Sequence, residues 1–261
     1  MTNYTHKTHK TVAKAMALAA LLSLAAGCAT GPDANPRDPL EPFNRGVYKF
    51  NDTLDTAVLK PVATAYEKVT PSPVRTGVGN FFGNLGDLWS SVNAGLQLRP
   101  REAVENLMRF SVNSVFGLAG VFDIATEMRI PRTQLDFGHT LGRWGTPAGP
   151  YLVLPLFGPS SVRDGAASFV DVHGDPVAGV DHRATRNSLY ALRVVDGRAR
   201  LLRASSMLDD SGMDKYSFIR DAYLSRRQGQ IDDIVDKGIG IGDGATDDAD
   251  DTNRNDSTGT R

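Results

Sequence analysis

Cys28 is the only cysteine of the 261 residues, and it stands at the end of an apolar run, in Leu24-Ala25-Ala26-Gly27-Cys28. Lys7, Lys10 and Lys14 precede the run Ala15 to Ala26 without an acidic residue among them. Charge first, a short apolar stretch second and small residues third is the order of a secretory signal. The run is about half of the ~20 residues that cross a bilayer, so it predicts a cleaved leader over 1–27 and no permanent span. A thiol directly after Ala-Gly can take a diacylglycerol on sulfur and, once freed by cleavage, a further acyl chain on its amine. Each buried methylene contributes about 0.8 kcal/mol, and two or more chains anchor stably. The leucine commonest three residues before such a cysteine is displaced here, Ala25 holding that place and Leu24 the one before it. The competing reading is an ordinary leader with a spare thiol. Ala29 follows the cysteine where aspartate would mark inner-membrane retention, which predicts a lipid-anchored protein on the periplasmic side of the outer membrane. With Cys28 acylated, no thiol remains for a disulfide or a thiolate metal site.

Other residues with chemical potential are scattered. His139, His173 and His182 are the histidines after Cys28, and none forms a helical His-Glu-x-x-His pair. Asp171, His173 and Ser160 or Ser161 contain the residue types of a hydrolase triad. They stand before the turn sequence Gly174-Asp175-Pro176, where Asp and His more often cap or face water. Glu102 and Glu105 read as an exposed helix face rather than as a glycosidase pair. Arg183, Arg186, Arg193, Arg198, Arg200 and Arg203 would form a basic flank for phosphates or acidic partners. A plain solvated face explains them too. Residues 28–228 carry 23 basic and 21 acidic groups, which argues against nucleic acid as a partner.

The elements that must position these groups are helical. Phe43, Val47, Phe50, Leu54 and Val58 recur every three or four residues, and Pro61 suits the first turn of a second helix ending near Pro71. Phe81, Leu85, Leu88, Trp89, Val92 and Leu96 make another stripe, and Val104 to Phe116 the next. Val162 to Val170, Leu189 to Leu202 and Tyr216 to Leu224 follow. Residues 28–37 are a small, polar, proline-containing tether. Residues 229–261, with nine aspartates against Lys237, Arg254 and Arg261, predict a disordered acidic tail.

One stretch breaks the pattern. From Gly138 to Pro159, nine of 22 residues are glycine or proline, yet it contains Tyr151-Leu152-Val153-Leu154-Pro155-Leu156-Phe157. Such a segment is neither a regular helix nor a central strand. It is an irregular core crossing, or it faces lipid or a cavity at membrane depth, where irregular backbone is tolerated.

Asp38-Pro39-Leu40-Glu41-Pro42-Phe43-Asn44-Arg45 resembles the mature start of the MlaA (VacJ) lipoproteins. The run Phe137 to Gly145, continuing from Gly149 to Gly165, resembles the same family, as do Arg198 to Leu208 and Asp214 to Arg227. The resemblance covers 38–228. It implies an all-α, ring-like body in the periplasmic leaflet of the outer membrane, with an amphipathic passage for phospholipid. It also implies a porin trimer as neighbour, a periplasmic lipid-binding shuttle as recipient, no bond broken and no cofactor. On that reading Gly142, Gly145 and Gly149 give the loop freedom, while Leu152, Leu154, Leu156 and Phe157 touch acyl chains or membrane. The alternatives are a structural lipoprotein that supports porins without moving lipid, and an envelope hydrolase.

Overall fold

The computed structural model describes residues 35–239, and side chains as far as residue 236; Cys28, the leader and the end of the acidic tail lie outside the described residues. Helix α1 (Glu41–Leu54) runs through one wide π turn, Asp55–Leu59, into α2 (Lys60–Val69). Pro61 accounts for the wide turn. It has no N–H to donate and its ring crowds the carbonyl four residues back, so the chain loosens there instead of breaking.

Helices α3 (Ser72–Leu96) and α4 (Pro100–Val115) form a long antiparallel pair. The one-turn α5 (Ile124–Glu127) and an extended segment lead to α6 (Phe137–Arg143). Asp136 caps α6 by accepting from the His139 amide, while the His139 ring accepts from the Asp136 amide. Strands β1 (Tyr151–Leu154) and β2 (Gly158–Ser161) follow, then α7 (Val162–Gly174), α8 (Arg183–Asp210) and α9 (Lys215–Ile239). The body is therefore mainly helical, with α2 against α8, α6 against α7 and α9, and α1 against β1.

Two expectations are corrected. The apolar run is a regular antiparallel hairpin, pairing Tyr151 with Ser161 and Leu154 with Gly158 around the Pro155-Leu156-Phe157 turn. Pro155 fits because it lies in the turn, and Pro159 because a two-stranded ribbon leaves half of its backbone groups outside the ladder. The tail does not begin at 229 either. Helix α9 continues to Ile239 and buries Ile231 and Ile234, the latter against Ala94 and Leu135. Those two isoleucines, three apart, were apolar enough to hold the helix on the body despite the aspartates beside them.

Candidate functional site

The helices are amphipathic in an inverted sense. On α3 the buried polar side is Asn84, Asp87, Ser90 and Asn93, with Gln97 at its C-cap, and on α4 it is Asn106, Arg109 and Asn113. Spacings of three and four put each set on one helical face. These groups hold the chain from the end of α4 into α6. Asn106 donates to the Thr133 carbonyl at 3.0 Å, Asn113 accepts from the Ala125 amide at 2.8 Å, and Thr140 donates to Asn93 at 2.8 Å. Arg109 bonds the Ile130 carbonyl at 2.7 Å and the Asp123 carboxylate at 2.8 and 2.9 Å. Meanwhile Val92, Leu96, Val104, Leu107, Met108, Val115 and Phe116 face outward. So do Phe43, Phe50 and Val58 on the α1 side. An exposed apolar surface of this extent marks a lipid or protein contact.

Backbone strain points the same way. Leu98, Leu118 and Leu156 have φ of +57°, +51° and +69° and are 87, 68 and 67% exposed. Left-handed backbone favours glycine or asparagine, and water favours a polar residue at a turn. A leucine is disfavoured on both counts, and a turn that meets hydrocarbon removes the second cost while leaving the first.

The hairpin hangs from α1 by two asparagines. Asn44 donates to the Tyr151 carbonyl at 3.0 Å and accepts from the Val153 amide at 2.9 Å. Asn51 donates to the Leu154 carbonyl at 3.0 Å and accepts from the Leu156 amide at 2.8 Å. Seven residues of helix rise about 10.5 Å and three of strand about 10 Å, so the two repeats match. Each carboxamide acts as a short length of neighbouring strand. The Asp38 to Arg45 motif completes the anchor: Asp38 accepts from Asn44 at 2.8 Å and from the Tyr216 hydroxyl, and Glu41 bonds Arg45 and Arg220. Burial, then the nearby Asp38 charge, pushes the Tyr151 phenol up to about 12.

Arg227 locks the other side. It reaches Asp136 at 2.7 Å and Asp164 at 2.9 Å. Burial alone would raise both acids, yet His139 and Arg227 at Asp136, and Arg227, Arg163 and Tyr223 at Asp164, hold them below the usual carboxylate range.

Beneath the hairpin, between the α1–α2 junction, the end of α8 and the start of α9, lies a cavity of about 280 Å³. Tyr48, Tyr151 and Val153 form its apolar side, and Asp52, Asp55, Lys60, Arg198, Asp209 and Lys215 its charged side. Arg198 grips Asp55 through Nε and Nη2 at 2.7 and 2.9 Å. A second cavity of about 430 Å³ is lined by Trp89, Arg132, His139, Arg226 and Arg227, among others.

The sequence-selected residues fall in different places. Leu156 and Phe157 form the exposed hairpin tip, while Leu152 and Leu154 are half-buried. Gly145 and Gly149 have φ of +87° and +69° at the turns before β1. Gly142 is helical and buried; a Cβ there would come within 2.5 Å of Ile231, so close packing and not freedom explains it. Ser161 caps α7 through the Asp164 amide, and Asp171 accepts from Trp89 and from the Phe137 amide, each at 2.8 Å. His173 bonds the Phe169 carbonyl and His182 caps α8, so the triad types are not brought together. Glu102 and Glu105 are partly buried against Arg99 and Arg101, correcting the exposed-face expectation. Of the arginine flank, Arg193, Arg198 and Arg200 are neutralised by Asp175, Asp55 and Asp196. Sequence reasoning passed over Asn51 and the roles of Lys60, Lys215 and Asp209; a seven-residue asparagine spacing on an apolar helix was the available signal for the first.

The family model described as MlaA lipoprotein matches residues 36–230. A relative from Shigella flexneri, the intermembrane phospholipid transport system lipoprotein MlaA, is 36% identical over 216 residues, covering 80% of this chain and 85% of its own. The protein of the same name from Haemophilus influenzae is 34% identical over 235 residues, covering 83 and 90%. A solved structure concerned with the maintenance of bacterial outer membrane lipid asymmetry superposes with a TM-score of 0.65 at 32% identity, covering 74% of this chain and 98% of its own. With three quarters of its length inside the family match and its hairpin, asparagine anchors and inverted helices formed from the matched residues, the chain belongs to the MlaA lipoprotein family.

Proposed function

We propose that this protein is an outer-membrane lipoprotein, anchored through Cys28, that removes mislocalised phospholipid from the outer leaflet and passes it to a periplasmic lipid-binding shuttle. The observation that carries the reading is the inverted amphipathicity: polar faces inside, apolar faces and strained leucines outside. A body of this kind sits in one leaflet without crossing, and among the described residues no helix is long and apolar enough to cross. Family membership supports the substrate class, since the relatives named above belong to a phospholipid transport system.

The geometry suggests how a lipid is handled. Acyl chains follow the apolar rim formed by Phe43, Phe50, Leu156 and Phe157, while the headgroup stays among the polar groups beneath the hairpin. Dissolving a charged headgroup in hydrocarbon costs several kcal/mol, so a polar inner wall lowers the barrier that keeps leaflets apart. No bond is broken in this scheme, and a porin trimer is the neighbour that would hold the body at the correct depth.

Outer-leaflet phospholipid in a deletion strain, complemented with wild type or Cys28→Ala, tests the proposal. Phospholipid should accumulate in the deletion strain and clear only with wild type, and labelled palmitate should be absent from the Cys28→Ala protein. A deletion strain with fragile membranes but an unchanged outer leaflet would instead establish a structural support for porins.

A further inference from the structure

Five lysines follow Cys28 in the sequence, and two of them, Lys60 and Lys215, meet in the cavity beneath the hairpin. Both bind the same carboxylate, Asp209, with Lys60 Nζ at 3.2 Å from one oxygen and Lys215 Nζ at 2.5 Å from the other. All three side chains are more than a third exposed, so water weakens this bridge and lets it exchange. The other basic residue of the cavity behaves differently: Arg198 is fixed in a two-nitrogen fork on Asp55. A lysine ammonium is a mobile point charge and suits a phosphate that arrives and leaves.

The cavity also has an acid without a mate. The Asp52 side chain has no hydrogen-bond or ion-pair partner among the described residues, and its charge acts on both Tyr48 and Lys215. Two lysines that share one exchangeable carboxylate, beside a free carboxylate and a tyrosine ring, present a positive station and a negative one side by side. Phosphate and ammonium stand in that relation in an ethanolamine phospholipid head. At about 280 Å³ the space is small for a ligand site and holds a headgroup, not a whole lipid.

We propose that this cavity is a headgroup station selective for zwitterionic, amine-bearing phospholipid, a deepening that rests on the transport reading above. The phosphodiester takes the place of the Asp209 carboxylate between Lys60 and Lys215, and the ammonium pairs with Asp52 against the Tyr48 ring. No covalent step is involved.

The test uses purified, acylated full-length protein in detergent, titrated with dihexanoyl-phosphatidylethanolamine, dihexanoyl-phosphatidylglycerol and inorganic phosphate. Wild type should prefer the ethanolamine lipid by about tenfold, the contribution of one charge-assisted contact. Asp52→Asn should abolish that preference by weakening only the ethanolamine lipid. Lys60→Gln/Lys215→Gln should weaken both lipids by about tenfold or more. Equal binding of the two lipids to wild type, or an unchanged preference in Asp52→Asn, overturns the proposal. Inorganic phosphate competing as well as the ethanolamine lipid overturns it too, leaving a simple anion site. Circular dichroism of each variant separates lost binding from lost fold. A deletion strain that keeps its outer leaflet free of phospholipid would remove the transport reading without touching this binding result.

Discussion

The α3–α4 pair and the tyrosine corner around β1 are built on opposite plans. In the corner, Tyr151, Val153 and Tyr216 pack inward with Val47, Tyr48, Tyr223 and Leu224, as in a water-soluble core. In the pair, asparagines, Asp87 and Arg109 fill the inside, while Leu107 and Phe116 face out. Apolar burial is a driving force only where the alternative is water. The corner packs as a core that uses that force. On the proposed reading the pair lies in a leaflet, gains little from that force and holds together by polar contacts, which are worth more where no water competes; Asn84 Oδ1 and Gln97 Oε1 are buried without a hydrogen-bond partner among the described residues.

The largest effects should therefore come from polar changes inside the pair. Arg109→Met leaves Asp123 without its guanidinium partner and Asp87 with Arg132 alone. Removing one member of a buried ionic group costs about 3–5 kcal/mol. Protein abundance and thermal unfolding in detergent should both drop steeply. Leu107→Ser, two residues away but outward-facing, should leave detergent unfolding nearly unchanged and reduce membrane retention. If Leu107→Ser proves the more destabilising, the pair has an ordinary core and the contrast fails.

Next in size is the end of α9. A chain ending at Gln228 loses Ile231 and Ile234, both buried. At about 1.5–3 kcal/mol for each fully buried side chain, it should unfold at clearly lower temperature. A chain ending at Ile239 should match wild type. Equal stability of the two truncations would mean that the last turns of α9 do not hold α6.

The two asparagines sharpen the view of how the corner grips its hairpin. Asn44→Ala strands the Val153 amide in a buried setting and should cost about 1–3 kcal/mol; Asn51→Ala, at a part-exposed site, about 1 kcal/mol or less. Hydrogen exchange should quicken at Val153 in the first variant and at Leu156 in the second. Loss of protection along the whole hairpin in both would show a single cooperative unit instead of two clasps.

Much of this was legible in the sequence, and the failures have physical causes. The 3.6-residue stripes located every long helix, because periodicity reports that a face is apolar. It does not report whether that face meets protein or lipid, so the stripe on α3 left open what Val92 and Leu96 touch, and the structure shows both exposed. The hairpin was hidden because its prolines forbid a central strand, and nothing local announces a two-stranded ribbon held by helix side chains. Gly142 looked like a hinge in a glycine-rich run, whereas its neighbour in space, Ile231, lies 89 positions away in a segment rich in aspartate. The charged cavity was invisible for the same reason: Lys60, Asp209 and Lys215 come from two ends of the chain.

The smallest expected effect is also the most discriminating. Leu98, Leu118 and Leu156 sit at positive φ on exposed turns. Left-handed backbone costs a residue with a Cβ roughly 1–2 kcal/mol, and asparagine bears it best after glycine. Replacing each leucine with asparagine should therefore raise the unfolding temperature in detergent slightly, by a degree or two per site for a domain of this size. The same changes should release protein from outer-membrane vesicles, because three apolar turn residues no longer enter the leaflet. A core residue cannot show both outcomes: removing its packing lowers stability together with retention. A fall in unfolding temperature for any of the three would mean that its leucine packs against protein, and that this turn lies outside the membrane-facing rim.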